Sequence, residues 1–194
     1  GIGMRRLSIM DVASGHQPCF SNDKRISVVG NGEIYNHAQL RLGLKNDHQF
    51  HSSSDIEVIA PLFLKHGLQF PSLMEGMFGL AILDKAERKL HLIRDRMGVK
   101  PLFYHSRKDA FVFSSDINSI ISSGKVTVTL NEQSANNYFN YRFGASGNET
   151  FFNEIKLLFP GQILSVDIDT LAVTESHFHD YLPFSTDELF NSTE

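Results

Sequence analysis

The sequence is short of several features, and each shortage argues against a class of protein. Its single cysteine, Cys19, excludes an internal disulfide and is typical of a reducing compartment, so we expect a cytoplasmic protein. No apolar run approaches the roughly 20 residues that span a bilayer, and no signal peptide is visible, so we expect no membrane association. The net charge is −4 without any basic block, which argues against nucleic-acid binding.

The composition is otherwise that of a globular domain. With 194 residues, 41% of them hydrophobic, the chain is long enough for one domain with a sizeable core. Tryptophan is absent and phenylalanine occurs 16 times, so phenylalanine must supply much of the bulk of that core.

Short apolar stretches separated by turn residues predict many antiparallel strands with a few helices between them. This pattern is typical of an α+β fold in which helices cover the sheets. We expect Pro61 to kink its helix, because proline lacks the N–H of the helical ladder. The predicted strands are 8–12, 26–29, 77–84, 89–95, 102–105, 110–113, 162–166 and 171–174. The predicted helices are 37–42, 55–66, 69–73, 116–123 and 132–141. We expect Ser54 to cap the second of these helices, Ser114 or Ser115 the fourth, and Asn131 the last.

The most informative stretch is Asn31-Gly32-Glu33-Ile34-Tyr35-Asn36, which follows the apolar run 26–29. We expect the strand to end before Asn31, with Asn36 capping the next helix. At such a turn, the amide of Asn31 and the backbone N–H of Gly32 can both point at one developing negative charge, as in an oxyanion hole. The carboxylate of Glu33 could hold an ammonium group. The alternative is a plain turn that uses asparagine and glycine for their conformational tolerance.

Three other patterns point to structure more than to chemistry. Arg94, Asp95 and Arg96 are interpreted as a structural ion-pair turn. His177 and His179 have metal-like spacing, but two histidines are too few for a site, so no metal is expected. The stretch 121–125 lacks the spacing of a phosphate-binding loop and is interpreted as a helix end.

Four stretches occur in order along the chain with a recognisable spacing. Together they resemble the glutaminase domain, a class II glutamine amidotransferase domain, of glutamine-hydrolysing asparagine synthetases. The resemblance covers almost the whole sequence. The stretches are Arg6-Leu7-Ser8-Ile9, Asn31-Gly32-Glu33-Ile34-Tyr35-Asn36, Ser54-Asp55-Ile56-Glu57-Val58-Ile59, and Arg94-Asp95-Arg96-Met97-Gly98-Val99-Lys100-Pro101-Leu102.

The resemblance implies a role for each site residue. Arg6 would bind the α-carboxylate of glutamine, for which a guanidinium fork is well suited. Asn31 and Gly32 would form the oxyanion hole and also contact the substrate, and Glu33 and Asp55 would hold the α-ammonium group. The backbone of four further residues would line the same pocket, namely Leu7, Ser8, Ile9 and Met10.

The resemblance also implies an architecture and partners. We expect an N-terminal-nucleophile hydrolase-like αββα sandwich, with two antiparallel sheets between helix layers, here lacking its first strands. Residues 1–182 would form the amidotransferase domain, and residues 183–194 a linker or the start of a synthetase domain. No cofactor is expected in this domain, whereas ATP and Mg²⁺ would bind the synthetase domain. The expected partners are glutamine, the synthetase domain of the same parent chain, and a second copy in a homodimer.

Two departures from the family qualify these expectations. The family uses an N-terminal cysteine as nucleophile with its own α-amino group as base, whereas the amine of Cys19 is part of a peptide bond. The Ser-Gly-Gly-x-Asp-Ser ATP loop of the synthetase domain is also absent. We therefore expect an inactive fragment of an asparagine synthetase, with Cys19 filling an apolar slot. The alternatives are a non-catalytic scaffold domain and an amidotransferase with a different acceptor.

Overall fold

A computed structural model of the chain describes residues 1–4, 16–142 and 147–179. Its strands form two antiparallel sheets. Sheet A contains Cys19–Phe20 (β1), Ile26–Ile34 (β2), Gly76–Asp84 (β3), Lys89–Arg94 (β4), Gln162–Asp167 (β8) and Val173–His177 (β9), in the order β1-β2-β3-β4-β8-β9. Sheet B contains Phe103–Ser106 (β5), Phe111–Ser114 (β6) and Lys156–Leu157 (β7), in the order β6-β5-β7.

Helical segments lie outside both sheets. Before β3, the chain forms α1 (His37–Gly43), a 3₁₀ segment (Asp55–Val58), α2 (Ile59–His66) and a second 3₁₀ segment (Gly67–Leu73). Between β6 and β7 it forms α3 (Ile117–Ser122) and α4 (Glu132–Tyr141). None of the helices in the described ranges is long and apolar enough to cross a membrane.

Three apolar cores separate these layers. Leu80 and Ile82 of β3 pack against the side of α1 and α2, whereas Ala81, between them, packs toward sheet B, because neighbouring side chains of a strand point to opposite faces. A third core, which contains Ile120 of α3, lies on the far side of sheet B. The layer order is therefore helix, sheet, sheet, helix, and the prediction of an α+β αββα sandwich is confirmed.

The strand that carries the key motif is longer than predicted. β2 runs from Ile26 through Asn31 and Gly32 to Ile34 and pairs with β3 along its whole length. The turn follows only at Tyr35, so the prediction that the strand ends before Asn31 is wrong. Asn36 precedes α1 as predicted, but its side chain bonds the backbone of Leu73 and Glu75 instead of capping the helix.

Two further helix starts differ from the prediction. Asp116, and not a preceding serine, caps α3 by accepting a hydrogen bond from Ser119. Pro61 lies in the first turn of α2, just after the change from 3₁₀ to α conformation at Ile59, so a long helix is not kinked there. The predicted cap of α4 by Asn131 is confirmed.

Several predictions concern residues outside the described ranges. The strand predicted at 8–12 and the pocket residues Arg6 to Met10 lie in the first of these gaps. The proposed tail 183–194 and its boundary lie in the last one. These interpretations therefore stay predictions.

Candidate functional site

The structure places Asn31 and Gly32 in β2, where the backbone of β3 occupies the space that a side chain at Gly32 would need. Gly32 has a φ of +146°, and a Cβ there would lie 2.0 Å from the carbonyl oxygen of Met77. Gly76, opposite Ile34, has a φ of +158°, and its Cβ would lie 2.2 Å from the carbonyl oxygen of Glu33. Only glycine fits either position, so the sequence motif needs Gly32 for steric reasons as well as for any chemistry.

The hydrogen-bond alternation of the ladder sets the direction of the Gly32 N–H group. The backbone N–H and carbonyl of Phe78, which lies opposite Gly32, bond to the side chain and backbone of Asp95 on the other side of β3. Gly32 and Phe78 are therefore a non-hydrogen-bonded pair, and the Gly32 N–H points to the outer edge of β2. Ile34, two residues further, points its N–H the same way. A donor on a strand edge is available to a ligand.

Asp55 lies beside this edge. Its side chain is buried, with 6% of the residue exposed, and Oδ2 accepts a hydrogen bond from the N–H of Ile34 at 2.7 Å. The structure thus brings Asp55 next to the Asn31–Ile34 stretch, as the resemblance implied. Glu33 is exposed to solvent, whereas Asn31 and Gly32 are half-buried. The two carboxylates therefore differ in environment, one buried and bonded to the strand, the other open.

Arg41 and Glu57, to which the sequence assigned no role in the site, hold the loop before Asp55. The guanidinium of Arg41 donates to the carbonyls of Ser52 and Ser54, at 2.8 and 2.7 Å. The buried carboxylate of Glu57 accepts from the N–H groups of His51 and Ser52. These bonds replace the expected side-chain cap by Ser54, which is not formed. The signal in the sequence was weak, because Arg41 lies on a different helix.

A cavity of about 510 Å³ opens between the two sheets at Asn31. This volume is in the range of small-molecule pockets, about 300–1,000 Å³. Its lining is mixed, with apolar residues such as Leu102 and Phe113 and polar residues such as Ser115 and Asp116. Of the predicted site residues in the described ranges, the lining of this cavity includes Asn31.

The Arg94–Asp95 turn bonds the backbone of β3 on the side of that strand that faces away from β2. The buried Asp95 carboxylate accepts hydrogen bonds from the N–H groups of Phe78, Met97, Val99 and Lys100, at 2.9 to 3.1 Å. The Arg94 guanidinium donates to three backbone carbonyls, among them that of Leu158 at 2.6 Å. Burial lowers the pKa of Arg94, and the Asp95 carboxylate opposes that shift. Both side chains bond backbone groups, so their role is structural, but it is carried by hydrogen bonds to the backbone and not by the expected ion-pair turn.

Cys19 and the two C-terminal histidines lie away from this constellation. Cys19 is buried in β1, opposite Val28, with 8% of the residue exposed, as expected for a cysteine in an apolar slot. His177 ends β9 and is exposed. Within residues 1–4, 16–142 and 147–179, no cluster of three histidine, cysteine or acidic side chains could hold a metal ion.

Comparison with solved structures defines the class of fold. The chain is similar to the glutamine phosphoribosylpyrophosphate amidotransferase of B. subtilis, with a TM-score of 0.60 and 20% identity over 84% of this chain and 32% of that one. A second structure, described as the allosteric regulatory enzyme of purine biosynthesis, matches with a TM-score of 0.61, 20% identity, and coverage of 86% and 32%. The fold is thus that of the N-terminal-nucleophile amidotransferases.

The sequence comparisons give the family. The family described as "Glutamine amidotransferase domain" matches residues 1–179, and the chain belongs to it. It is 38% identical over 174 residues to asparagine synthetase [glutamine-hydrolyzing] 2 of Bacillus subtilis (strain 168), covering 88% of this chain and 23% of that one. It is 48% identical over 99 residues to the asparagine synthetase [glutamine-hydrolyzing] of Brassica oleracea, covering 51% and 17%. The chain thus spans less than a quarter of the length of these relatives.

Proposed function

We propose that this chain forms the glutamine-binding and oxyanion-stabilising part of a domain that hydrolyses glutamine to glutamate and ammonia. The observation that carries the proposal is the direction of the Gly32 N–H, which points out of the β2–β3 ladder beside the amide-bearing Asn31. When a nucleophile attacks the side-chain amide of glutamine, its carbonyl oxygen becomes negative. Two neutral donors on a rigid strand stabilise that charge without reorganising.

The charged groups around this pair match the other end of glutamine. Asp55 bonds the N–H of Ile34, and Glu33 precedes Ile34 in β2, so both residues belong to the end of β2 where an ammonium group is proposed to bind. Arg6 would supply the cation for the α-carboxylate, by the resemblance of its stretch to the family. One cation, two anions and two neutral donors are complementary to a zwitterionic amino acid with a terminal amide.

We further propose that the parent enzyme is an asparagine synthetase. Both relatives reported above carry that activity in their names, and the chain matches only the part of them that corresponds to the glutamine amidotransferase domain. The released ammonia would amidate aspartate in a second domain, which would bind ATP and Mg²⁺. That domain, on the same parent chain, and a second copy in a homodimer are the proposed partners.

The 194-residue chain by itself is proposed not to hydrolyse glutamine. The reaction needs a thiolate, and Cys19 is the sole cysteine of the sequence. Its nitrogen is part of a peptide bond, and the residue is buried in β1, paired with Val28. Cys19 therefore has neither the free amine that would act as base nor access to the cavity at Asn31.

Two preparations test the proposal through glutamate release from glutamine. The 194-residue chain should be inactive, with or without Cys19→Ala. A chimera that places the N-terminal segment of the Bacillus subtilis relative, beginning at its cysteine, before Gly1 should be active. Activity of the 194-residue chain that is lost in Cys19→Ala would refute the structural assignment of Cys19. A folded chimera that does not release glutamate would refute the proposed glutaminase function.

A further inference from the structure

We propose that Gln17 is a positioning residue for the oxyanion pair Asn31 and Gly32. The inference rests on the proposed function, because it assigns Gln17 to that same site. Gln17 is half-buried and lies in a loop before β1, where neither its burial nor the pattern of the sequence marks it. What marks it is the pair of hydrogen bonds that its side chain makes.

The amide of Gln17 binds both backbone groups of Gly30. Its Oε1 accepts a hydrogen bond from the Gly30 N–H at 2.7 Å, and its Nε2 donates to the Gly30 carbonyl at 3.0 Å. A primary amide offers one acceptor and one donor in a plane, which is what a neighbouring strand offers to a hydrogen-bonded residue. The side chain of Gln17 thus pairs with Gly30 in the way that the backbone of a residue in a neighbouring strand would.

The register of β1 explains why a side chain takes this place. β1 pairs with β2 at Cys19↔Val28 and Phe20↔Ser27, and the same register continued by two residues puts Gln17 opposite Gly30. β1 begins only at Cys19, so no backbone group of that strand bonds Gly30. The ladder of β1 ends there, and the Gln17 amide takes over at the next position of the same edge.

This bond fixes a peptide group of the site itself. The carbonyl of Gly30 and the N–H of Asn31 belong to one planar peptide unit. A hydrogen bond to the Gly30 oxygen therefore also fixes the orientation of the peptide plane that includes the Asn31 nitrogen. A Cβ at Gly30 would lie 2.7 Å from Cδ2 of Leu80, so a larger residue there would displace that buried side chain. On the same edge, Asp55 holds the N–H of Ile34. Hydrogen bonds therefore hold the backbone of β2 on both sides of Gly32, at Gly30 and at Ile34.

The inference predicts an effect on turnover and little on substrate binding. Gln17→Met keeps the length of the side chain and removes both hydrogen bonds, whereas Gln17→Glu keeps an acceptor and places a carboxylate against the Gly30 carbonyl. In the full-length protein, each change should lower kcat for glutamine hydrolysis about 10- to 100-fold, because small misplacements of catalytic groups cost that much. KM should change by less than about threefold, since ground-state binding does not need the oxyanion donors.

Gln162→Met is the matched control. Like Gln17, Gln162 bonds a backbone group through its side-chain amide. Its Oε1 accepts a hydrogen bond from the Phe159 N–H at 2.8 Å, and the residue is 2% exposed. It lies in β8, so its loss should reduce stability and leave kcat unchanged. A folded Gln17→Met variant with the kcat of the parent would overturn the inference, as would an equal loss of kcat in Gln162→Met.

Two measurements by NMR do not depend on activity, and the first of them needs no variant. In the unsubstituted protein, the Gly30 amide proton should exchange slowly with solvent, and exchange at the rate of an exposed loop amide would overturn the clamp. In Gln17→Met, the side-chain amide resonances of Asn31 should shift, whereas they should not in Gln162→Met; unmoved resonances would also overturn the inference. If the full-length protein does not hydrolyse glutamine, the proposed function is wrong. The two NMR measurements still show whether Gln17 holds Gly30 and positions Asn31.

Discussion

Asp55 and Ile34 are 21 positions apart in the sequence, and the carboxylate of the first accepts a hydrogen bond from the backbone N–H of the second at 2.7 Å. Both residues are buried. The bond joins the 3₁₀ segment before α2 to the strand that carries Asn31 and Gly32. A carboxylate has two oxygens, so one can hold this strand while the other binds a ligand ammonium group. The proposed substrate contact and the architecture of the site thus share one side chain.

Two substitutions of Asp55 separate these roles. Asp55→Asn retains an acceptor for the Ile34 N–H and removes the charge, so we expect a folded domain in which glutamine binding is weakened about ten- to a hundredfold. Asp55→Ala should in addition lower the free energy of unfolding by about 1–3 kcal/mol, because a buried N–H loses its partner. Calorimetric titration with glutamine and urea unfolding measure the two effects. Parent-like binding by Asp55→Asn would remove Asp55 from the substrate pocket.

Asn31→Ala should act on turnover. Its side-chain amide is proposed to donate to the oxyanion, and loss of one such donor lowers kcat by about 10²–10³-fold. KM should rise far less, because the ground-state carbonyl needs the donor less. Steady-state glutaminase kinetics of the active chimera or full-length protein measure both constants. Asn36→Ala is a useful control, since Asn36 bonds the backbone of Leu73 and Glu75 outside the site; a kcat equal to that of the parent in Asn31→Ala would exclude its role.

Gly32→Ala should destabilise the domain more than an alanine at another glycine of positive φ. At Gly32, the new Cβ meets the Met77 carbonyl oxygen at 2.0 Å and the φ is +146°, whereas at Gly124 the φ is +67° and nothing lies within 4 Å. Gly124→Ala therefore measures the conformational cost alone, about 1–3 kcal/mol. We expect Gly32→Ala to exceed it, in urea unfolding at constant m-value. Equal losses would mean that β2 and β3 can separate at this point without cost.

His91 should make the stability depend on pH. Burial lowers the pKa of His91 from 6.5 to about 4 in the folded state, where its ring is tilted against that of Phe63 and its Nδ1 lies 2.8 Å from Ser165 Oγ. The unfolded state therefore binds more protons between these two pH values, and stability falls as the pH falls from 6.5 to 4. The loss from this group is about 3 kcal/mol, at 1.36 kcal/mol for each pKa unit.

Urea unfolding across that pH range tests the assignment. In His91→Gln, the stability curve should be flatter by about this amount between pH 6.5 and 4. His66→Gln changes an exposed histidine at the end of α2 and should leave the slope unchanged. An unchanged slope in His91→Gln would show that other groups cause the acid dependence.

The sequence allowed the family and the fold to be predicted, because both depend on local patterns. Alternation and turn residues located most of the strands, and four collinear stretches identified the amidotransferase domain, which the comparisons confirm. The cap at Asn131 was also predictable, since the N-cap preference acts within three residues. The roles assigned to Arg6, Glu33 and Asp55 in binding glutamine remain predictions.

What could not be predicted depends on contacts between distant residues. The length of β2 was underestimated because Gly30 and Gly32 are strand breakers by local preference, whereas pairing with β3 and the close approach at Met77 make glycine necessary there. Gln17 was missed for a similar reason, since its importance follows from the register of β1 and not from its neighbours. Tertiary pairing overrode local propensity in both cases.

The Arg94–Asp95 turn, which follows β4, has a consequence for the folding kinetics. β4 and β8 are neighbours in sheet A, yet the chain builds the whole of sheet B between them, and Arg94 bonds a carbonyl 64 positions away. Sheet A therefore cannot be completed from consecutive hairpins. β8 and β9 can join the sheet only after the long chain segment between β4 and β8 has brought its ends together. Topologies with such non-local pairings fold slowly, in about milliseconds to seconds. We expect β1 to β4 to be protected from hydrogen exchange earlier during refolding than β8 and β9.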